Sequence, residues 1–108
     1  MTSLSTHVLD TERGVPAAGV RVRLYRGEHV LADALTEANG RIADVGGGAL
    51  ENGMYRLEFD LATYLAAHGR PAPFLQRVSL EFLLDGSQPH YHVPLLVTPY
   101  ACTSYRGS

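Results

Sequence analysis

The chain opens with a period of two. Thr6, Val8 and Asp10 alternate with Ser5, His7 and Leu9, which predicts a short first strand. Asp10 to Gly19 is turn-like, with Gly14, Pro16 and Gly19. Val20, Val22 and Leu24 then alternate with Arg21, Arg23 and Tyr25, the clearest half-buried strand in the sequence. Arg26-Gly27-Glu28-His29 reads as a hairpin turn, and Val30 to Thr36 as the returning strand. Asn39-Gly40 is a turn signal because both residues tolerate positive φ, and Arg41 follows it directly. Gly46-Gly47-Gly48 is a loop without the Lys-Ser or Lys-Thr pair of a phosphate-binding loop. Tyr55 to Asp60 predicts another strand. Asp60 can cap a short helix, Leu61 to His68, that Gly69 closes and Pro71 and Pro73 keep from continuing. Val78 to Leu84, Tyr91 to Val97 and Tyr100 to Tyr105 complete the pattern.

Seven or eight short strands and one small helix predict an all-β fold. A two-sheet sandwich is expected, since each amphipathic sheet must cover its apolar face, although strand count alone does not separate a sandwich from a barrel. The 108 residues fit one domain, 1–108. A chain of this size buries only about two thirds of its unfolded surface. That leaves one modest core, and a cleft between subunits is a natural place for a small-molecule site.

Charge removes some function classes. The formal net charge is −2, and the nine basic residues are scattered, so no stripe for nucleic acid appears. All nine are arginine, so any cationic site must use a guanidinium, which suits planar oxygen-rich partners. Cys102 is the only cysteine, which rules out an intramolecular disulfide and a cysteine-based metal site. No apolar run approaches the length of a membrane span, so no membrane partner is expected. The first residues carry neither a basic segment nor a long apolar run. A cytoplasmic location is expected, or a periplasmic one if a leader has been removed.

A few polar residues fit a plain scaffold less well. His7 lies inside the first strand, on the face of Ser5 and Leu9; it is either a core-edge histidine bonded to a carbonyl or a functional imidazole. His92 shares a strand face with His90 and Leu96. Pro94 lacks a ladder donor and predicts that this strand is irregular or at an edge. His90 is expected to be exposed beside the Gln88-Pro89 turn, and His29 and His68 fall in a turn and at a helix end. The His90-x-His92 spacing with His7 leaves zinc open as an alternative, but the same set serves metal-free acid–base chemistry. Arg41 is either a solvated charge after a turn or a fork for an electron-rich oxygen. The tail Tyr105-Arg106-Gly107-Ser108 reads as a frayed end, yet it is tethered to the last strand with no polar spacer.

Four motifs in order resemble the transthyretin-related proteins. They are Leu4-Ser5-Thr6-His7-Val8-Leu9-Asp10 with Gly14-Val15-Pro16-Ala17, Glu37-Ala38-Asn39-Gly40-Arg41, His90-Tyr91-His92-Val93-Pro94-Leu95-Leu96, and the tail Tyr105-Arg106-Gly107-Ser108. The tail is similar to the tetrapeptide that separates the enzymatic branch, 5-hydroxyisourate hydrolase, from the hormone-carrying branch. The resemblance implies a transthyretin-like sandwich of two four-stranded sheets and a homotetramer, a dimer of dimers, with its sites in the channel between dimers. It implies a cyclic amide hydrolase of purine metabolism. Such an enzyme opens the ring of 5-hydroxyisourate, formed in urate catabolism, to 2-oxo-4-hydroxy-4-carboxy-5-ureidoimidazoline. It implies no metal or organic cofactor. His7, Arg41, His92 and Ser108 are the catalytic positions that the resemblance carries over, and His7, Arg41, His92, Tyr105, Arg106, Gly107 and Ser108 the substrate-binding ones. Cys102 departs from the family pattern, in which an aromatic residue is more usual. The alternative is a non-catalytic transthyretin-like protein that binds a small ligand.

Overall fold

The computed structural model describes residues 2–108. Its elements are β1 (Ser3–Asp10), β2 (Val15–Pro16), β3 (Arg21–Arg26), β4 (His29–Leu35), β5 (Arg41–Ile42), β6 (Gly53–Asp60), α1 (Leu61–Ala67), β7 (Arg77–Leu84), β8 (His90–Val97) and β9 (Cys102–Ser104). The strands form two sheets. One is the antiparallel order β4-β3-β6-β7. The other runs β2-β1-β8-β9, with β5 also paired to β1.

The pair at the centre of the second sheet is parallel: β1 lies beside β8 from Ser3↔His90 through Ser5↔His92 to Asp10↔Val97. Parallel neighbours require a long crossover, and here the whole other sheet and the helix lie between them in sequence. The inner faces meet in one core. Leu4, Val8, Leu95 and Val97 come from one sheet and Val22, Leu24, Leu57 and Phe59 from the other, all at most 2% exposed. Each such side chain contributes about 1.5–3 kcal/mol by leaving water. Polar groups on the core side are satisfied: Thr6 donates to the Val93 carbonyl at 2.6 Å.

Alternation works as a placing device on β1. Leu4, Thr6, Val8 and Asp10 turn inward, so Ser3, Ser5, His7 and Leu9 share the outer face. The same rule puts Tyr91, Val93, Leu95 and Val97 inward on β8, with His90, His92, Pro94 and Leu96 outward. At the far end of β1, buried Asp10 accepts from Tyr64 of α1 at 2.9 Å and forms an ion pair with Arg70 just beyond the helix. This clamp ties the helix to the sheet. Burial alone would raise the Asp10 carboxyl. The hydrogen bonds from Arg70, Tyr64 and the Arg13 amide, with the charge of Arg70, hold it below its ordinary range. The helix itself is short because Asp60 caps it, accepting from the Thr63 amide at 3.1 Å, and Gly69 ends it at φ +65.

Several sequence expectations shift. The first strand begins at Ser3, and the last covers only Cys102–Ser104. Val15–Pro16 and Arg41–Ile42, expected as turn and post-turn residues, make short strands on β1. Two residues are too few to show a period, and only the β1 edge orders them. Pro94 does not put β8 at an edge: β8 lies between β1 and β9. The expected irregularity lies in its ladder with β9. β9 pairs with β8 from Leu95↔Ser104 to Val97↔Cys102, and the tail returns at the bridge His92↔Gly107. The intervening Pro94 has no N–H to give, so the ladder is interrupted opposite Tyr105. Among the described residues no helix is long and apolar enough to cross a membrane.

Candidate active site

Three strands bring His7, Arg41 and His92 to one patch of the outer face. The antiparallel register sets His7 of β1 directly opposite Arg41 of β5, where Cα atoms stand about 4.5–5.5 Å apart. The parallel register sets Ser5 opposite His92, so His92 and His7 are diagonal neighbours on the same face. His7, Arg41 and His92 therefore come together although they lie far apart in sequence.

Gly40 makes the placement of Arg41 possible. Its φ is +79, and its carbonyl accepts from the Val8 amide at 2.8 Å. A Cβ there would lie 2.5 Å from the Val8 carbonyl oxygen, so no other residue fits without moving β5 away. The Asn39 side chain accepts from the Arg41 amide at 2.9 Å and fixes the turn.

Two polar groups of this patch lack partners among the described residues. His7 Nε2 is buried with no hydrogen-bond partner among the described residues. An unmet buried ring nitrogen costs about 1–3 kcal/mol. The Arg41 side chain, like those of Arg13, Arg56 and Arg106, enters no ion pair among the described residues, whereas Arg21, Arg23, Arg26, Arg70 and Arg77 do. Burial first, then the charge of Arg41 and the rings of His7 and His90, hold His92 below the ordinary imidazole value of 6.5, against a backbone hydrogen bond at Ser5. A neutral imidazole beside a cationic fork is suited to taking a proton from water while negative charge develops nearby.

The tail divides. Gly107 is buried, and its amide donates to the His92 carbonyl at 2.7 Å. A Cβ on Gly107 would lie 2.7 Å from His92 Cδ2, so the tail backbone lies against the imidazole. Tyr105 and Arg106 are exposed and line a 290 Å³ cavity with Leu80, Phe82, Tyr91 and Val93, at the open edge between β7 and the tail. Ser108 is exposed beyond Gly107. Within one chain, then, Gly107 is the tail residue seen in contact with the histidine–arginine patch, while Tyr105 and Arg106 line the neighbouring cavity. Cys102 is exposed at the start of β9, opposite Val97.

Among the described residues no group of three His, Cys, Asp or Glu side chains is arranged to hold a metal. Instead His90 and His92 are joined through Ser5, whose Oγ lies 2.8 Å from His90 Nε2 and 2.7 Å from His92 Nδ1. Ser3 Oγ lies 2.5 Å from His90 Nδ1. His90 is exposed, as expected, but sequence reading does not foresee its contacts with Ser3 and Ser5. The signal available was their shared outer face, but the register that sets Ser5 between two rings is a property of the β1–β8 pairing alone.

Fold and patch together define a transthyretin-like β sandwich bearing a histidine–arginine cluster on its outer face. The family model "HIUase/Transthyretin family" matches residues 4–107, and the chain belongs to this family. It is 46% identical to a 5-hydroxyisourate hydrolase of Caulobacter vibrioides over 100% of both chains. Its structure superposes on that of Klebsiella pneumoniae 5-hydroxyisourate hydrolase with a TM-score of 0.92, at 39% identity and 100% coverage of each. It is also similar to sea bream transthyretin in complex with thyroxine, with a TM-score of 0.86, 26% identity, and 96% and 93% of the two chains covered.

Proposed function

We propose that this chain is a hydrolase that opens the ring of 5-hydroxyisourate to give 2-oxo-4-hydroxy-4-carboxy-5-ureidoimidazoline. The observation that carries this reading is the pairing of His7 with Arg41 beside His92, with a buried His7 nitrogen and an Arg41 guanidinium both lacking partners among the described residues. The full-length likeness to proteins named for this activity supports it.

The reaction breaks a cyclic acyl–nitrogen bond. His92 Nε2 takes a proton from water as the water oxygen bonds to the ring carbonyl carbon. The carbon–nitrogen bond then breaks, and the leaving ring nitrogen gains a proton. His92 is free to act as base because its neutral form is favoured at neutral pH. His7 positions water or substrate through Nε2. Arg41 holds the electron-rich oxygens of the substrate and stabilises the oxyanion at the attacked carbonyl. Gly107 braces the His92 ring; Tyr105, Arg106 and Ser108 complete the site in a homotetramer, a dimer of dimers, where this outer face meets that of another subunit. No metal or organic cofactor enters these steps, so prolonged chelation should leave the rate unchanged.

Thyroxine-type binding is the other use of this fold. The patch here places a guanidinium and two imidazoles where an apolar aromatic ligand would have to desolvate them.

Product analysis tests the proposal. Freshly generated 5-hydroxyisourate incubated with the protein should pass to the carboxy-ureidoimidazoline ahead of its spontaneous decay; identical time courses with and without protein would contradict it. His92→Asn should lower kcat about a hundredfold or more. A near-normal kcat in that variant would remove His92 as the base.

A further inference from the structure

We propose that Ser5 and His90 are positioning residues that form a proton relay behind His92, carrying the proton taken from water to the exposed end of β8. The inference rests on the hydrolase reading above and adds to it two residues that do not touch the substrate.

The relay is a continuous line of short contacts. His92 Nδ1 meets Ser5 Oγ at 2.7 Å, Ser5 Oγ meets His90 Nε2 at 2.8 Å, and His90 Nδ1 meets Ser3 Oγ at 2.5 Å. Ser3 Oγ also lies 3.5 Å from the Pro89 carbonyl. Ser5 is 9% exposed, His90 is exposed, and Ser3 is half-buried, so the line runs from the interior of the patch to solvent.

One hydroxyl between two rings links their tautomers. Ser5 has a single hydrogen, so it donates to one imidazole and accepts from the other. In one arrangement His92 Nδ1–H donates to Ser5, Ser5 donates to His90 Nε2, and His90 Nδ1–H donates to Ser3, whose own hydrogen points to Pro89. This arrangement leaves His92 Nε2 as a free lone pair, which is what a general base requires. It also gives each hydrogen an acceptor.

When His92 Nε2 gains the proton of water, the Nδ1–H bond breaks and an O–H bond forms on Ser5. The former Ser5 O–H bond breaks and an N–H bond forms at His90 Nε2. His92 ends neutral, and the positive charge is on His90. The groups that face His92 disfavour keeping the proton there. His7 on β1, Arg41 on β5 and burial under the tail at Gly107 all oppose an imidazolium on His92, whereas His90 is open to water. Return of the proton along the same line supplies the leaving nitrogen.

Ser5→Ala cuts the relay, Ser5→Thr keeps the hydroxyl, and His90→Asn removes the terminal acceptor. Ser5→Ala and His90→Asn should each lower kcat about tenfold or more, with KM within about twofold. Ser5→Thr should recover most of the loss. In a His92→Asn background, Ser5→Ala should change kcat by less than about twofold, since coupled groups are not additive. Long-range ¹H–¹⁵N spectra of the histidine rings should show His92 protonated at Nδ1 in the unaltered protein and redistributed toward Nε2–H in Ser5→Ala. An unchanged kcat in Ser5→Ala and His90→Asn, losses that add to that of His92→Asn, or ring tautomers indifferent to Ser5 would each overturn the relay. The spectra need no turnover. If the unaltered protein fails to accelerate hydrolysis, the hydrolase reading falls, while the spectra still decide whether the two rings are linked through Ser5.

Discussion

In the proposed mechanism Arg41 acts in two ways, and one substitution tests both through different readouts. Its guanidinium would hold substrate oxygens, and its charge, after burial, holds down the proton affinity of His92. Arg41→Gln should lower kcat/KM about 10²–10³-fold, the usual loss of an oxyanion donor. It should also move the pH profile. His92 is active when neutral, so activity falls as pH drops through its pKa, which lies below 6.5. Removing the positive charge raises that pKa, so the acid limb of kcat/KM should shift to higher pH in Arg41→Gln. A limb that stays in place, measured from pH 5 to 8, where an imidazole titrates, would mean that Arg41 does not act on the titrating group. The same reasoning sets the stability linkage. A group depressed on folding stabilises the fold above its unfolded pKa, and that contribution is lost as pH falls through the folded value.

Strand pairing, not any single residue, assembles the patch. Gly40→Ala should strain the turn at φ +79 and push β5 off β1, since its Cβ would meet the Val8 carbonyl at 2.5 Å. A loss of about 1–3 kcal/mol in thermal unfolding is expected, with a larger proportional fall in kcat/KM as Arg41 moves. Unchanged unfolding and activity would show that the turn relaxes freely. What the sequence carried at this scale was periodicity: the β1, β3, β6, β7 and β8 segments alternate over enough residues to be read directly. Asn39-Gly40 also announced its turn. The short strands β2 and β5 were not legible, because they exist only as partners of β1. The interruption at Pro94 was legible as an irregularity of its own strand, whereas the alternative of an edge position was not met. The candidate residues His7, Arg41 and His92 emerged from motif likeness, whereas Ser5 and His90 depend on a parallel register that no local pattern encodes. For the same reason the placement of Tyr105 and Arg106 on a separate cavity was not foreseen.

At the scale of the molecule, the tail lies against the proposed site. Gly107 is its sole buried residue and lies against His92, while Tyr105, Arg106 and Ser108 are exposed. Deleting Arg106 to Ser108 removes the bridge to His92 but none of the core side chains. The truncated chain should therefore keep its β-sheet circular dichroism and lose most of its turnover. A folded truncated protein with full activity would show that the site excludes the tail. Sedimentation of both forms should give four subunits if the outer face closes the site between dimers. The most direct measurement is the ultraviolet decay of freshly generated 5-hydroxyisourate in the presence of the intact protein. The decay rate should rise in proportion to protein concentration, and the rise should be lost in His92→Asn. A rate equal to that in buffer at every protein concentration would contradict the hydrolase reading.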